Sequence, residues 1–333
     1  MSFDDIIKDL KAKKYAPVYF LMGDEPYYID KITDYIAENV LKEEEKAFNQ
    51  TIIYGKDTDV TDVIQAARRY PMMAEHQVII VKEAQNIPDI DKLSIYAENP
   101  LTSTILVINY KYKTIDKRRK LYKTLSKNGV LFDSKKLYDN QVGPWLSSYV
   151  KSKGVSIDLT ATQILVEYLG NDLSKIVHEV DKLLIATGPD KKTITVDDIE
   201  RNIGISKEFN NFELNKAVLQ RNVVKANRII RSFAKNQKDH PIQVTIATLF
   251  GYFQKLMAYY YLPDKSKMAV ASALKIPPFF VSDYTTGARN YPARKVVQVI
   301  SLLREYDMKS KGYNTNVTDN GELLKELIFK IIH

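Results

Sequence analysis

Short apolar segments alternate with helical patterns over the first 140 residues, and this alternation constrains the fold more than any other feature. The four clearest segments are APVYFLM at 16–22, QTIIY at 50–54, VIIV at 78–81 and STILVIN at 103–109. Continuous apolar runs of this length are typical of strands that are buried on both faces. The pattern therefore predicts a mostly parallel sheet, closed by a strand that begins at 130–132, with helices covering both sides.

Helical patterns fill the intervals between these strands, as a parallel sheet requires. The clearest spans 25–41, where isoleucines and a valine recur at helical spacing. Three further helices are expected at 58–69, 90–97 and 118–126.

The rest of the chain is predicted to be helical, which gives an α/β domain followed by all-α domains. Residues 141–208 predict a small three-helix domain, with a threonine-capped pattern at 195–202 near its end. Residues 209–333 predict a helix bundle, because Pro- and Gly-containing breaks divide them into pieces of helical length. The predicted domains are therefore 1–140, 141–208 and 209–333.

Composition excludes several classes of site and location. The chain has no cysteine, so disulfides, thiolate zinc sites and cysteine nucleophiles are excluded. The N-terminus is charged and lacks the apolar core of a signal peptide, and no apolar run reaches the roughly 20 residues of a membrane span. We therefore expect a cytoplasmic protein without membrane contact.

The basic charge lies in the last third of the chain. From Phe209 onward there are 19 Lys and Arg against 9 Asp and Glu, whereas the remainder holds 30 against 32. Such asymmetry indicates contact with nucleic acid or another acidic surface, although solvated lysine-rich helix faces explain it equally well.

The turn after the first strand is where a phosphate-binding loop belongs, but its chemistry is missing. A working loop needs a second glycine, a lysine and a hydroxyl, to bind the phosphates and magnesium. Gly23 is present, but Tyr28 occupies the second glycine position, and Ile29 and Asp30 stand where the lysine and hydroxyl belong. The carboxylates of this turn would also repel a polyphosphate.

Lys82 directly follows the strand at 78–81. A magnesium-dependent nucleotide hydrolase has an aspartate at this position, which holds the metal. A lysine there would repel the cation. The four histidines are scattered without metal-ligand spacing, and no nucleophile motif is present. We therefore predict no catalytic residue, no metal and no cofactor.

Two adjacent methionines, Met72 and Met73, follow Pro71 in the connection that leads to the strand at 78–81. Neighbouring residues cannot both face one core stripe, so we expect at least one to be exposed. Flexible apolar methionines suit insertion into a groove of another protein. The alternative is contact with the protein's own sheet, which the residues alone favour.

Three segments resemble delta subunits of the bacterial DNA polymerase III clamp loader. The segment YFLMGDEPYYI from Tyr19 resembles the family's degenerate opening strand and turn, and Pro71–Val81 is similar to its helix, apolar wedge and strand. LGNDLSKIVHEVDKL from Leu169 is similar to its G-N-D-L…E-x-x-K-L helix and is the most specific match.

The resemblance implies an AAA+-like parallel-sheet domain, a lid domain and a collar domain that joins loader subunits into a hetero-pentamer. It also implies that the protein binds the ring-shaped sliding clamp (beta) and favours its open form without hydrolysing ATP. Pro71, Met72 and Met73 would carry the clamp-binding wedge, which reverses the preference above. The collar lies near primer–template DNA, and we expect Lys309, Lys311 and Tyr313 to face it.

Two alternatives stay open at the level of sequence. The first is an active AAA+ ATPase, against which the turn at Gly23 and Lys82 both argue. The second is a stand-alone DNA-binding replication or repair factor, which the basic C-terminal third allows, although no nucleic-acid-binding motif is evident.

Overall fold

The computed structural model describes residues 1–204, 206, 209–313, 316 and 319–333, apart from the side chain of Asp139. The chain divides into two units, Met1–Tyr138 and Asp139–His333, called here the N-terminal and C-terminal units. The three-domain division stays a prediction.

Five parallel strands in the order β2-β3-β4-β1-β5 form the sheet of the N-terminal unit. This confirms the predicted parallel sheet. The strands are β1 (Val18–Gly23), β2 (Gln50–Tyr54), β3 (Gln77–Lys82), β4 (Thr104–Lys111) and β5 (Val130–Asp133). The helices are α1 (Phe3–Lys11), α2 (Pro26–Asn39), α3 (Glu43–Asn49), α4 (Val60–Ala67), α5 (Ser94–Ala97) and α6 (Lys120–Asn128), with 3₁₀ turns at Ala84–Asn86 and Ile90–Leu93.

Both faces of the central strands are buried, which explains their continuous apolar runs. In β1, Tyr19 and Leu21 pack with helices α1 and α2 on one side, while Phe20 packs with α4 and α6 on the other. Successive side chains in a strand point to opposite faces, so both must be apolar when both are covered. The edge strand β2 differs, since Ile52 and Tyr54 remain about half exposed.

Helices dominate the C-terminal unit, and a two-stranded sheet of β6 (Ser156–Ile157) and β7 (Thr193–Ile194) accompanies the first four. These four helices correct the predicted three-helix domain: α10, which opens at the Thr195 capping box, packs on α9 and belongs with the others. They are α7 (Asp139–Ser152), α8 (Leu159–Leu169), α9 (Leu173–Thr187) and α10 (Val196–Ile203). The strands escape prediction because two residues show no alternation.

The remaining helices pack around one apolar core, as the predicted bundle requires. They are α11 (Asn211–Leu219), α12 (Val223–Lys235), α13 (Ile242–Tyr260), α14 (Lys267–Leu274), α15 (Val281–Asn290), α16 (Ala293–Ser310) and α17 (Asn320–Ile332), with a 3₁₀ turn at Pro278–Phe280. Within the described ranges, no helix is both long enough and apolar enough to cross a membrane.

A polar seam lies where α8 packs on α11 inside the C-terminal unit. One side-chain oxygen of Glu167 in α8 and one of Asn211 in α11 are buried, and neither has a hydrogen-bond partner among the residues described. Burial raises the pKa of Glu167 from its ordinary value of 4.5 to about 8. The folded chain therefore holds this carboxyl protonated at neutral pH.

This raised pKa predicts that the protein becomes less stable as pH rises from 5 to 8. Across that window the folded state binds a proton at Glu167 that the unfolded state has released, so the free energy of unfolding falls with pH. Replacing Glu167 by glutamine removes the effect. Relative to wild type, Glu167→Gln should gain on the order of 2 kcal/mol between pH 5 and pH 8 in denaturant unfolding. The exposed Glu200→Gln in α10 is the control and should show no such gain.

Candidate functional site: an exposed apolar loop and a closed nucleotide pocket

The loop that connects α4 to β3 exposes large apolar side chains, and we call residues 70–76 the tip loop. Met72 is 63% exposed and Met73 is fully exposed, while Tyr70 beside them is also exposed. Pro71 is half-buried and lies four residues after the last residue of α4, Ala67. The prediction that at least one methionine is exposed is therefore confirmed, because both are, and neither packs against the sheet.

Two buried side-chain amides hold this loop. One bonds to Met72 within the loop, and the other links the residues that flank it, Arg69 and Gln77. Asn49, the last residue of α3, accepts a hydrogen bond from the Met72 amide at 2.6 Å and donates one to the Met72 carbonyl at 2.9 Å. Gln77 at the start of β3 donates to the carbonyl of Arg69 and to the hydroxyl of Thr104. Met73 follows in the left-handed region, with φ of 54°.

The turn after β1 is shaped by contact with the chain that follows β5 rather than by a ligand. Gly23 has φ of +121°, and a Cβ there would lie 2.2 Å from the carbonyl oxygen of Ser134. Ser134 also accepts a hydrogen bond from the Glu25 amide at 3.0 Å, and its hydroxyl donates to the Glu25 carbonyl at 2.6 Å. Gly23 is therefore required here for close backbone packing.

A carboxylate of the protein itself lies at the N-terminus of α2, where a bound phosphate would be expected. Glu25 is 1% exposed and accepts a hydrogen bond from the Tyr27 amide at 3.0 Å. Helix N-termini attract anions through their free amides and their dipole. The position is thus already filled. Tyr28, in place of the second glycine, packs on the ring of Phe3 with 4.8 Å between centroids.

An ion pair lies at the same end of the sheet. Asp30 of α2 lies 2.6 Å from the ammonium of Lys111 at the end of β4. Lys82 ends β3 at the same edge of the sheet. This end of the sheet therefore carries the Glu25 carboxylate at the start of α2, an Asp30–Lys111 ion pair and a lysine at the end of β3. No cluster of three or more potential metal ligands occurs in the part of the chain that the structure describes.

The predicted DNA-facing residues lie at the end of α16 and just after it. Lys309 forms an ion pair with Glu305 at 2.7 Å and covers the ring of Tyr306, while Lys311 pairs with Asp307 at 2.7 Å. Both charges are thus matched within the helix. Tyr313 is 63% exposed. Of the segment that follows, residues 314, 315, 317 and 318 lie outside the described residues.

Sequence reasoning missed the roles of Asn49, Gln77 and Glu25. Asn49 bonds to the backbone of Met72, which is 23 residues away, and the partners of Gln77 and Glu25 are also largely backbone. No side-chain pattern encodes such contacts. Glu25 alone had a usable signal, because it directly precedes a proline at the first position of a helix, where capping residues concentrate.

Comparison with known proteins covers both units. The family model described as "DNA polymerase III, delta subunit" matches residues 19–135, and "DNA polymerase III delta subunit, C-terminal domain" matches residues 208–329. The DNA polymerase III subunit delta of Bacillus subtilis (strain 168) is 27% identical over 320 residues, which cover 92% of this chain and 91% of the relative. The probable DNA polymerase III subunit delta of Aquifex aeolicus (strain VF5) is 22% identical, covering 75% and 72%.

The fold agrees with that of a solved relative. The Bacillus subtilis DNA clamp loader delta protein superposes with a TM-score of 0.56 and 26% identity, covering 99% of both chains. This likeness confirms the predicted fold class, an AAA+-like parallel-sheet domain followed by helical domains. The chain therefore belongs to the delta subunits of DNA polymerase III, the clamp-loader subunits of DNA replication.

Proposed function

We propose that this delta subunit binds the sliding clamp through its tip loop and favours the open ring. The exposure of Met72 and Met73 on a loop held from both ends is the observation that carries the proposal. Because the backbone of this loop is already ordered, entry into a partner's pocket requires only the side chains to lose conformational freedom. A pair of flexible methionines also adapts to the shape of that pocket.

The subunit performs this task without hydrolysing ATP. The buried carboxylate of Glu25 competes with any phosphate for the amides of α2, and the Lys111 ammonium at this end of the sheet is already paired with Asp30. Lys82 replaces the carboxylate that would hold magnesium. Phosphate binding would thus require displacing a buried carboxylate that accepts a hydrogen bond from the chain. Energy for loading then comes from other subunits of the complex.

The remaining partners follow from the family. We place this chain in the cytoplasm, within a hetero-pentameric loader that its residues 209–333 join as a collar, with 141–208 as a lid and 1–140 as the AAA+-like domain. Primer–template DNA is proposed to meet Tyr313, Lys309 and Lys311. Because both lysines already pair with carboxylates, stacking on Tyr313 should contribute more than charge.

Replacing both methionines with aspartate should abolish clamp binding. Two charges cannot be solvated in an apolar pocket, so Met72→Asp with Met73→Asp should weaken the affinity by at least about 100-fold. The measurement is surface plasmon resonance on immobilised sliding clamp from the same organism. Met268→Asp, at an exposed methionine of α14, is the matched control and should bind normally. Wild-type affinity in the double variant, with an unchanged unfolding curve, would refute the wedge.

Calorimetric titration with Mg-ATP should detect no binding to the wild-type chain at millimolar nucleotide. Glu25→Ala should lower the free energy of unfolding by about 1–2 kcal/mol, because the first amides of α2 lose their cap. Saturable binding of Mg-ATP to the wild type would instead support the active AAA+ ATPase.

DNA binding by the full chain should depend more on Tyr313 than on the two lysines. Tyr313→Ala should weaken binding to a primer–template junction about 10-fold, a typical loss for one stacked base. Lys309→Ala with Lys311→Ala should weaken it less, and Tyr261→Ala, at another exposed tyrosine, should have no effect. Fluorescence anisotropy over a salt series gives these values. Equal affinities for wild type and Tyr313→Ala would remove the proposed contact.

A further inference from the structure

Met72 depends on one side chain for the position of its backbone. Within the described residues, no backbone–backbone hydrogen bond holds residues 70–76. Both polar groups of the Met72 backbone instead bond to the Asn49 side chain, the amide donating at 2.6 Å and the carbonyl accepting at 2.9 Å. In a sheet, both backbone groups of a residue can bond to a neighbouring strand, and here the Asn49 side chain provides both hydrogen bonds instead.

Asn49 is also held in place by contacts outside the loop. It ends α3, it is 4% exposed, and its side-chain amide also donates to the Glu45 carbonyl at 3.1 Å. A side-chain amide is one of the few groups that offer a donor and an acceptor side by side, as these two bonds require. A buried residue with both bonds satisfied limits the backbone of Met72 to one orientation.

The residue after this contact needs such support. Met73 has φ of 54°, a conformation that costs free energy for a residue other than glycine and persists only when its surroundings impose it. Met72, which Asn49 holds at both backbone groups, directly precedes this turn, and both methionine side chains lie in solvent.

We propose that Asn49 is a positioning residue for clamp binding, which sets the Met72 backbone so that both methionines enter the clamp together. This inference rests on the proposed function of the tip loop. Because Asn49 itself is buried, it would act through Met72 rather than by contact with the clamp. Its loss should act on affinity because an unheld loop must be ordered again at each encounter.

The first test is Asn49→Ala, which removes both hydrogen bonds. We expect clamp affinity to fall about 10-fold to 30-fold, while Met72→Asp with Met73→Asp measured in parallel loses binding altogether. The matched control is Asn39→Ala, since Asn39 also ends a helix and donates to the carbonyl four residues earlier, Tyr35 at 2.9 Å, without touching the loop. Asn39→Ala should keep wild-type affinity.

The second test separates positioning from general folding. In Asn49→Asp, the ionised carboxylate accepts from the Met72 amide but repels its carbonyl, whereas the protonated acid offers a donor and an acceptor as asparagine does. The ratio of variant to wild-type dissociation constants should therefore fall towards one as pH is lowered from 8 to 5. Wild type measured at each pH is the control for the other ionisable groups near the contact, which are Glu45 in α3 and Glu75 and His76 in the loop.

The outcomes distinguish the two proposals. Weakened Asn49→Ala together with recovery of Asn49→Asp at low pH supports the positioning role. Wild-type affinity in Asn49→Ala, when the double methionine variant no longer binds, overturns it and leaves the wedge intact. A deficit in Asn49→Asp that persists at a pH where NMR shows its carboxyl to be protonated also overturns it. Wild-type binding by all variants would instead mean that the clamp is not bound through this loop.

Discussion

Burial of the parallel sheet on both faces is the constraint on which the functional parts of the N-terminal unit depend. Because the strands run in one direction, their carboxyl ends all lie at the same end of the sheet, where Gly23, Lys82 and Lys111 are found. The tip loop leads into the start of β3 at Gln77, so it lies at the opposite end of the sheet. The sheet thus places the exposed tip loop at the end opposite the turn that follows β1.

Polar groups near the turn after β1 find their partners within the N-terminal unit. Glu25 caps α2 in place of a phosphate, and the Asp30–Lys111 ion pair neutralises the charges that remain. Both interactions are made within the unit, so no ligand is needed to satisfy them. A polar pocket satisfied in this way contributes to folding stability, and the same groups would have to be released before any nucleotide could bind.

Sequence predicts those parts of this protein whose signal is local. Burial on both faces demands unbroken apolar runs, which is why the sequence predicts the strands at 78–81 and 103–109. Neighbouring residues cannot share a core stripe, which predicts that at least one of the two methionines is exposed. Helix α3 was missed, since EEEKAFN carries no apolar periodicity. The contacts of Asn49 and Gln77 were missed because their backbone partners are distant in the chain and leave no pattern.

A structure of this chain bound to the sliding clamp is the most direct measurement of the central claim. The account predicts that Met72 and Met73 are buried in an apolar pocket of the clamp, that Asn49 keeps both hydrogen bonds to Met72, and that Glu25 still caps α2. A complex in which the clamp contacts another surface, with the tip loop left in solvent, would contradict it.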